Sequence, residues 1–259
     1  MNIFQAIVLG VIQGLAEFFP ISSSAHLRLA KWAMSIPDGE QLLYFDLMCH
    51  AGTLAALFYF LRRDVFEILR DVKKIGLFSI ALLPLVPAYF LLKPVRLALS
   101  DPSYMGYSLL ATSLFLFAAT QKKSIPSQQK TSHVVCIGMA QALALIPGIS
   151  RSGATMAMAR VLGWEWKQAA RFSILLAIPA ILGGELLETI KLMKGNSESI
   201  GAVSPLCYAA GFFAALSVGF IAVRFAFSLY DRGVIRPFAW YCLGAGLIAW
   251  ACFGTAFNA

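Results

Sequence analysis

Gln13-Gly-Leu-Ala-Glu17-Phe-Phe-Pro20-Ile-Ser22-Ser23-Ser24-Ala25 and Gln141-Ala-Leu-Ala-Leu-Ile-Pro147-Gly148-Ile-Ser150-Arg151-Ser152-Gly153 align without a gap, and six of the thirteen positions are identical. Each stretch interrupts an apolar segment, the first at 2–33 and the second at 133–162. Pro, Gly and clustered Ser in mid-segment favour a turn. The halves on either side are too short to cross a bilayer, which takes about 20 residues. Each segment therefore reads as a re-entrant hairpin, a short helix in and a short helix out. A non-helical turn at membrane depth is tolerated only where it is buried in protein or lines a watery cavity.

Outward from these two breaks the chain is apolar throughout. Of 259 residues, 59% are apolar and only 13% charged, against about 25% charged in ordinary soluble domains. Six uninterrupted apolar stretches, at 43–61, 76–97, 104–120, 169–190, 205–229 and 236–256, are of spanning length. The expected fold is an all-α integral membrane protein with six transmembrane helices and two re-entrant helical hairpins, in one polytopic domain over 1–259. Met1–Leu15 lacks a basic leader and runs on into Glu17, so it reads as part of the mature chain and not as a signal peptide. The five cysteines form no CxxC pair and read as small buried or lipid-facing residues.

Three spans separate the hairpins, and three more follow the second. A hairpin returns to its own side, so the second half, about 133–259, is inverted relative to the first, about 1–120. Inverted repeats with broken helices meeting near the midplane place a binding site at the breaks. The net charge of +8 fits cytoplasmic loops of a membrane protein better than a nucleic-acid partner. Arg62, Arg63, Arg70, Lys73 and Lys74, with Lys122, Lys123 and Lys130, mark one cytoplasmic face, and Arg160, Lys167, Arg171, Arg232 and Arg236 fall on the same side. The linkers at 98–103 and 191–204 are poorer in such residues. Arg28 and Lys31 run against this assignment.

Ionisable groups inside membrane segments mark function by default. The first hairpin holds Glu17 and His26, the second Arg151. In Gly148–Gly153 the glycines let backbone approach a ligand, Ser150 or Ser152 can cap the following helix, and its free N–H groups face the turn, which makes an anion site. Arg151 adds a planar fork matched to phosphate oxygens, and Thr155 a hydroxyl one turn on. The plain alternative is a packing turn with Arg151 reaching for the surface. Gln13 and Glu17 share a helical face and offer oxygens to a divalent cation. Glu17 can equally pair with Arg151. Ser22, Ser23 and Ser24 supply hydroxyls, and His26 a group that titrates near neutrality. Asp46 and His50, also one turn apart, read as helix-pairing or supporting residues, and His133 as interfacial. An anion cradle, a carboxylate, hydroxyls and an imidazole in lipid suit a phosphorylated amphiphile. No Walker-type loop is present.

These motifs resemble those of the bacterial undecaprenyl-diphosphate phosphatases, also called bacitracin-resistance proteins. Gln13–His26 is similar to their (E/Q)xxxE-x-P-x-S-S segment and following His, and Pro147–Thr155 to their PGxSRSGxT motif. Phe45–Thr53 and the helix with Phe172 and Pro179 add to the likeness, which covers nearly the whole chain. The resemblance implies hydrolysis of undecaprenyl diphosphate to undecaprenyl phosphate and inorganic phosphate, in a bacterial cytoplasmic membrane, at a site open mainly to the outer face, with Mg²⁺ or Ca²⁺. It implies catalytic roles for Glu17, Ser23, His26 and Arg151. Substrate contacts fall to Ser22, Gly148, Ser150, Ser152, Gly153 and Thr155, and the cation to Glu17 and Gln13. Gln13 and Ala25 stand where Glu and Gly are usual in the family. Ser23 or a water as nucleophile, and Glu17 or His26 as the proton carrier, stay open at this stage, as does a homodimer. A carrier-lipid flippase is the rival, since such repeats serve alternating access; a purely structural subunit does not need the polar residues at both breaks.

Overall fold

The computed structural model describes residues 1–36, 42–122, 130–194 and 203–253. Among these the regular elements are helices: α1 (Ile3–Ala16), α2 (Ser23–Ala33), α3 (Leu43–Leu69), α4 (Val72–Leu82), α5 (Leu85–Leu91), α6 (Lys93–Ala98), a 3-10 turn at Pro102–Tyr104, α7 (Met105–Thr120), α8 (Thr131–Leu143), α9 (Arg151–Val161), α10 (Trp166–Lys194), α11 (Pro205–Asp231) and α12 (Arg236–Phe253). Four helices are long and apolar enough to cross a membrane: Leu43–Leu69, Val72–Leu91, Trp166–Lys191 and Pro205–Asp231. The remaining two expected spans are α7, of 16 residues, and α12, of 18. Lys123, most of the 191–204 linker and the end of the 236–256 stretch lie outside the described residues.

The stretch expected as one span at 76–97 is divided among α4, α5 and α6. Proline is the cause. Pro84 caps α5 and Pro94 opens α6, and each lacks the N–H that would carry the preceding helix onward. Hydropathy alone does not register this. Pro179 in α10, by contrast, lies within a helix that continues past it.

Both decisive stretches break where their Pro, Gly and Ser lie. Ser22 and Ser150, aligned with each other in sequence, each cap the helix that follows, by accepting from Ala25 N–H and Gly153 N–H. The capped helices are both 11 residues long. Non-helical backbone needs other partners for its polar groups, and the first break finds them across the molecule. Phe18 carbonyl accepts from Tyr230 hydroxyl at 2.6 Å, Phe19 carbonyl from Ser152 hydroxyl at 3.2 Å and Pro20 carbonyl from Cys242 Sγ at 3.5 Å. In the second break Ser150 N–H donates to Thr112 Oγ1 at 3.0 Å, and Gly148 N–H to Ser24 Oγ at 3.3 Å. Gly148 has φ +89°, open to glycine, and a Cβ there would stand 2.6 Å from Ser108 Cβ.

The core lies around these breaks. Phe18, Leu57, Leu116, Met156, Ile174 and Val223 are buried in one cluster that draws on helices from both halves of the chain. α1 lies so close to α11 that a Cβ on Gly14 would be 2.9 Å from Gly219 N. The outer faces carry large apolar side chains such as Phe90, Leu114 and Ile221 in the open, which lipid solvates and water does not.

Charged linker residues gather at one end. Arg171 pairs with Asp64, Lys167 with Asp231, and Arg160 donates to Lys122 carbonyl at 2.6 Å and to Trp164 carbonyl at 2.9 Å. Arg28 and Lys31 are not part of that set. Arg28 donates to Ser100 carbonyl, and buried Lys31 meets Asp46 at 2.6 Å. They are structural cations tying α2 to its neighbours, which is why they do not follow the loop rule.

Candidate functional site

α1 ends at Ala16, so Glu17 sits as its C-cap just where the chain turns. The second break ends at Ser150, so Arg151 is the first residue of α9. The two turns abut, and Arg151 Nη2 donates to Glu17 Oε1 at 2.7 Å. Glu17 is buried, and its other oxygen accepts from Ser23 hydroxyl at 2.8 Å and from Gln13 Nε2 at 3.0 Å. Arg151 Nη1 is buried and has no hydrogen-bond partner among the described residues. A buried donor left unmatched is costly, and here it belongs to a guanidinium already anchored at its other end.

A cavity of about 210 Å³ opens at this pair, room for several waters at about 30 Å³ each. Glu17, Ser22, Ser23 and Ser24 line it from the first break, and Ser150, Arg151 and Ser152 from the second. His50 on α3 and Ile181 on α10 complete its wall. The polar lining combines a cation, a carboxylate and hydroxyls within a largely apolar molecule. Such a site suits an anionic headgroup carried on a lipid tail.

Not every expected residue faces the cavity. Thr155 is buried, and its hydroxyl donates to Arg151 carbonyl at 2.8 Å and lies 2.5 Å from Ser173 Oγ of α10. Gly148 and Gly153 shape the turn and the first turn of α9 from behind the lining. His26 is also absent from the wall: its Nδ1 is 2.7 Å from Ser22 carbonyl and its Nε2 2.7 Å from Tyr241 hydroxyl. The histidine that does line the cavity is His50, with Nδ1 2.9 Å from Gln13 Nε2 and 3.6 Å from Glu17 Oε2. Its neighbour Asp46 serves the helix-pairing role expected of it, through Lys31.

Residues beyond the sequence reading support the lining from behind. Thr112 on α7 holds Ser150, and Ser173 meets Thr155. Neither lies in a motif, and a hydroxyl in an apolar helix carries no mark of its distant partner. His50 was visible as an ionisable group one turn from Asp46, but nothing local ranked it above His26. Ala25 lies in the first turn of α2, and positive φ among the described non-glycine residues is confined to Ser22 and Ser35. The usual glycine is therefore not demanded by the backbone here.

The donor set was weighed against a divalent cation. Glu17 already has both oxygens engaged, while Gln13 Oε1 is buried without a partner. Among the described residues no group of three His, Cys, Asp or Glu side chains stands close enough to hold a metal by itself. Gln13 is fully buried and is not part of the cavity wall, so Glu17 is the lining carboxylate left for a hard cation, which would take most of its ligands from phosphate oxygens and water.

The chain matches the family described as bacitracin resistance protein BacA over residues 6–248. It is 37% identical to an undecaprenyl-diphosphatase of Protochlamydia amoebophila (strain UWE25), covering 95% of this chain and 97% of that one. It is 36% identical to one of Christiangramia forsetii, covering 96% and 97%, and 34% identical to one of Rubrobacter xylanophilus, covering 93% and 94%.

Proposed function

The chain belongs to the bacitracin resistance protein BacA family, and on that premise we propose that the cavity between the two breaks is where it acts on its lipid substrate. The activity is that of an undecaprenyl-diphosphatase. Undecaprenyl diphosphate and water become undecaprenyl phosphate and inorganic phosphate, which returns the carrier lipid to cell-wall synthesis.

The observation that carries the site is the Glu17–Arg151 contact at 2.7 Å with Ser23 hydroxyl 2.8 Å from the same carboxylate. Arg151 binds the diphosphate through Nη1 and holds Glu17 through Nη2. The N–H groups at the start of α9 and the hydroxyls of Ser22 and Ser150 take further phosphate oxygens, while the Ser152 hydroxyl, spent on the Phe19 carbonyl, ties the two breaks together beside them. Glu17, with Gln13 behind it, would hold a Mg²⁺ or Ca²⁺ ion, which would supply neutralisation of charge developing on the phosphate oxygens. Ser23 Oγ, with its proton directed at Glu17, attacks the terminal phosphorus in line. The bond between that phosphorus and the bridging oxygen breaks, undecaprenyl phosphate leaves, and water then releases phosphate from Ser23. Hydroxyl and carboxylate in contact are the pairing that activates a serine nucleophile. Direct attack by water in the same place is the second reading, since the cavity has room for it.

The finer topology goes with this reading. α1–α2 and α8–α9 are re-entrant hairpins in a bacterial cytoplasmic membrane, α3, α4–α5, α7, α10, α11 and α12 are the six spans, and the halves are inverted repeats. The charged end at Asp64, Lys122, Arg160 and Arg171 faces the cytoplasm, and the prenyl tail lies along the apolar outer grooves.

The test is phosphate release from a prenyl diphosphate in detergent, with and without chelator, combined with rapid-quench labelling. Phosphorylated Ser23 in the wild type and none in Ser23→Ala is the expected result. Turnover without any trapped phosphoprotein moves the mechanism to water attack. No phosphate release without a membrane gradient favours the flippase.

A further inference from the structure

His26 is held by three features that no motif joins. Ser22, the residue before α2, has φ +70° and ψ +95°, a conformation rarely adopted by a residue with a side chain. Strain of this kind persists where surrounding structure enforces it. Its result is a Ser22 carbonyl 2.7 Å from His26 Nδ1. On the other side, 215 positions later in the chain, Tyr241 of α12 places its hydroxyl 2.7 Å from Nε2. Its ring is nearly parallel to the imidazole, with centroids 5.5 Å apart and planes 15° from parallel.

These contacts assign the protons. A carbonyl only accepts, so Nδ1 carries hydrogen. In the neutral ring Nε2 is then an acceptor, and the Tyr241 hydroxyl donates to it. When the ring takes a proton, Nε2 becomes a donor. The phenol oxygen can accept from it, while the Ser22 carbonyl keeps its bond. Both contacts therefore survive protonation, the second with its polarity reversed. A phenol serves both states, an amide N–H or an ammonium only the neutral one, and a carboxylate only the charged one.

We propose that Tyr241 is a positioning residue for His26, fixing its ring plane and the direction of Nε2 through a complete cycle of proton uptake and loss. The inference rests on the role in hydrolysis that the family resemblance gives His26, which the proposed steps at Ser23 and Glu17 do not use. His26 lies one turn along α2 from Ser23, so the two share a helix face, yet it stands outside the wall of the Glu17–Arg151 cavity. Tyr241 determines where that imidazole is presented, at the seam between α2 and α12. Trp240, Tyr241 and Ile248 are exposed along α12, so this is the lipid-facing side of the site. A diphosphate headgroup arriving from the bilayer meets His26 there, and Tyr241 keeps its basic nitrogen in a defined direction.

The test compares Tyr241→Phe with Tyr241→Leu in the full-length enzyme. Phenylalanine keeps the neighbouring ring and loses only the hydroxyl. Losing one such hydrogen bond lowers kcat about tenfold, with KM and the thermal midpoint close to wild type. The direct readout is the side-chain ¹⁵N spectrum. With three histidines in the chain, the His26 signals are assigned by His26→Asn, and Tyr241→Phe shifts the Nε2 signal, which loses its donor, while the ring keeps the Nδ1–H tautomer that the Ser22 carbonyl sets. Tyr241→Leu does the same and also lowers the midpoint. Wild-type kcat in Tyr241→Phe, or an unchanged His26 spectrum, overturns the proposal. His26→Ala with wild-type turnover overturns its premise instead, and the spectrum still reports whether Tyr241 holds Nε2.

Discussion

Arg151 and Glu17, 134 positions apart, meet at 2.7 Å because each stands at the broken end of a short helix and the two ends face each other. Arg151 spends one guanidinium nitrogen on the carboxylate and leaves the other buried without a partner. This sets the expectation for Arg151→Lys. A lysine keeps the charge but has no fork, so it can serve Glu17 or the phosphate and not both in this geometry. We predict a loss of about 10²–10³-fold in kcat/KM, the scale seen when one charge-stabilising donor is removed. Activity within fivefold of wild type in the phosphate-release assay would defeat the assigned role.

Glu17→Gln probes the other partner. The amide keeps the shape but not the charge, and it leaves Arg151 buried without its counterion. Removing one member of a buried pair typically costs about 3–5 kcal/mol. We predict a lower thermal midpoint in detergent together with loss of turnover. Inorganic phosphate at high concentration should restore part of the midpoint, since an anion then compensates Arg151. A midpoint that phosphate leaves unmoved would count against Arg151 as the anion site.

Much of this site was readable in the chain. The gapless alignment signalled two breaks, the second with Ser150 or Ser152 as its cap, and a single carboxylate and a single guanidinium in otherwise apolar turns signalled a pair; that Ser22 caps the first break came only with the structure. What stayed hidden has a common cause. Tyr230, Tyr241, Thr112 and Ser173 act through partners more than ten positions away, and a hydroxyl on an apolar helix looks the same whichever side it faces. His26 and His50 could not be ranked for the same reason, because which of them lines the cavity depends on where α3 and α12 approach the first break. The 76–97 stretch held in part: Val72–Leu91 is long and apolar enough to cross a membrane, but the chain is interrupted within it and after it. Pro84 and Pro94 were in plain view, but length and hydropathy outweighed them, and helix continuity depends on the missing N–H and not on apolarity.

Tyr230→Phe isolates the support of the first break. The wild-type hydroxyl is buried and donates to Phe18 carbonyl at 2.6 Å, next to Glu17. Phenylalanine fills the same space and leaves the carbonyl without that donor. We predict destabilisation by about 1–3 kcal/mol, measured as a fall in the unfolding midpoint, and a larger loss in kcat than in KM, since the shifted carbonyl moves Glu17 out of line. An unchanged midpoint would show that the break does not rely on this contact.

Lys31 and Asp46 offer a comparison away from the chemistry. The ammonium is almost fully buried and meets the carboxylate at 2.6 Å, tying α2 to α3. Asp46→Ala takes away that counterion and should cost about 3 kcal/mol, with turnover per folded molecule near wild type because neither residue lines the cavity. Lys31→Met in the same molecule removes the stranded charge and replaces it with an apolar side chain of similar length. The double variant should then recover most of the midpoint lost by Asp46→Ala. If it is less stable than Asp46→Ala alone, the lysine is stabilised mainly by something other than this carboxylate, and the pair is not what fixes α2 against α3.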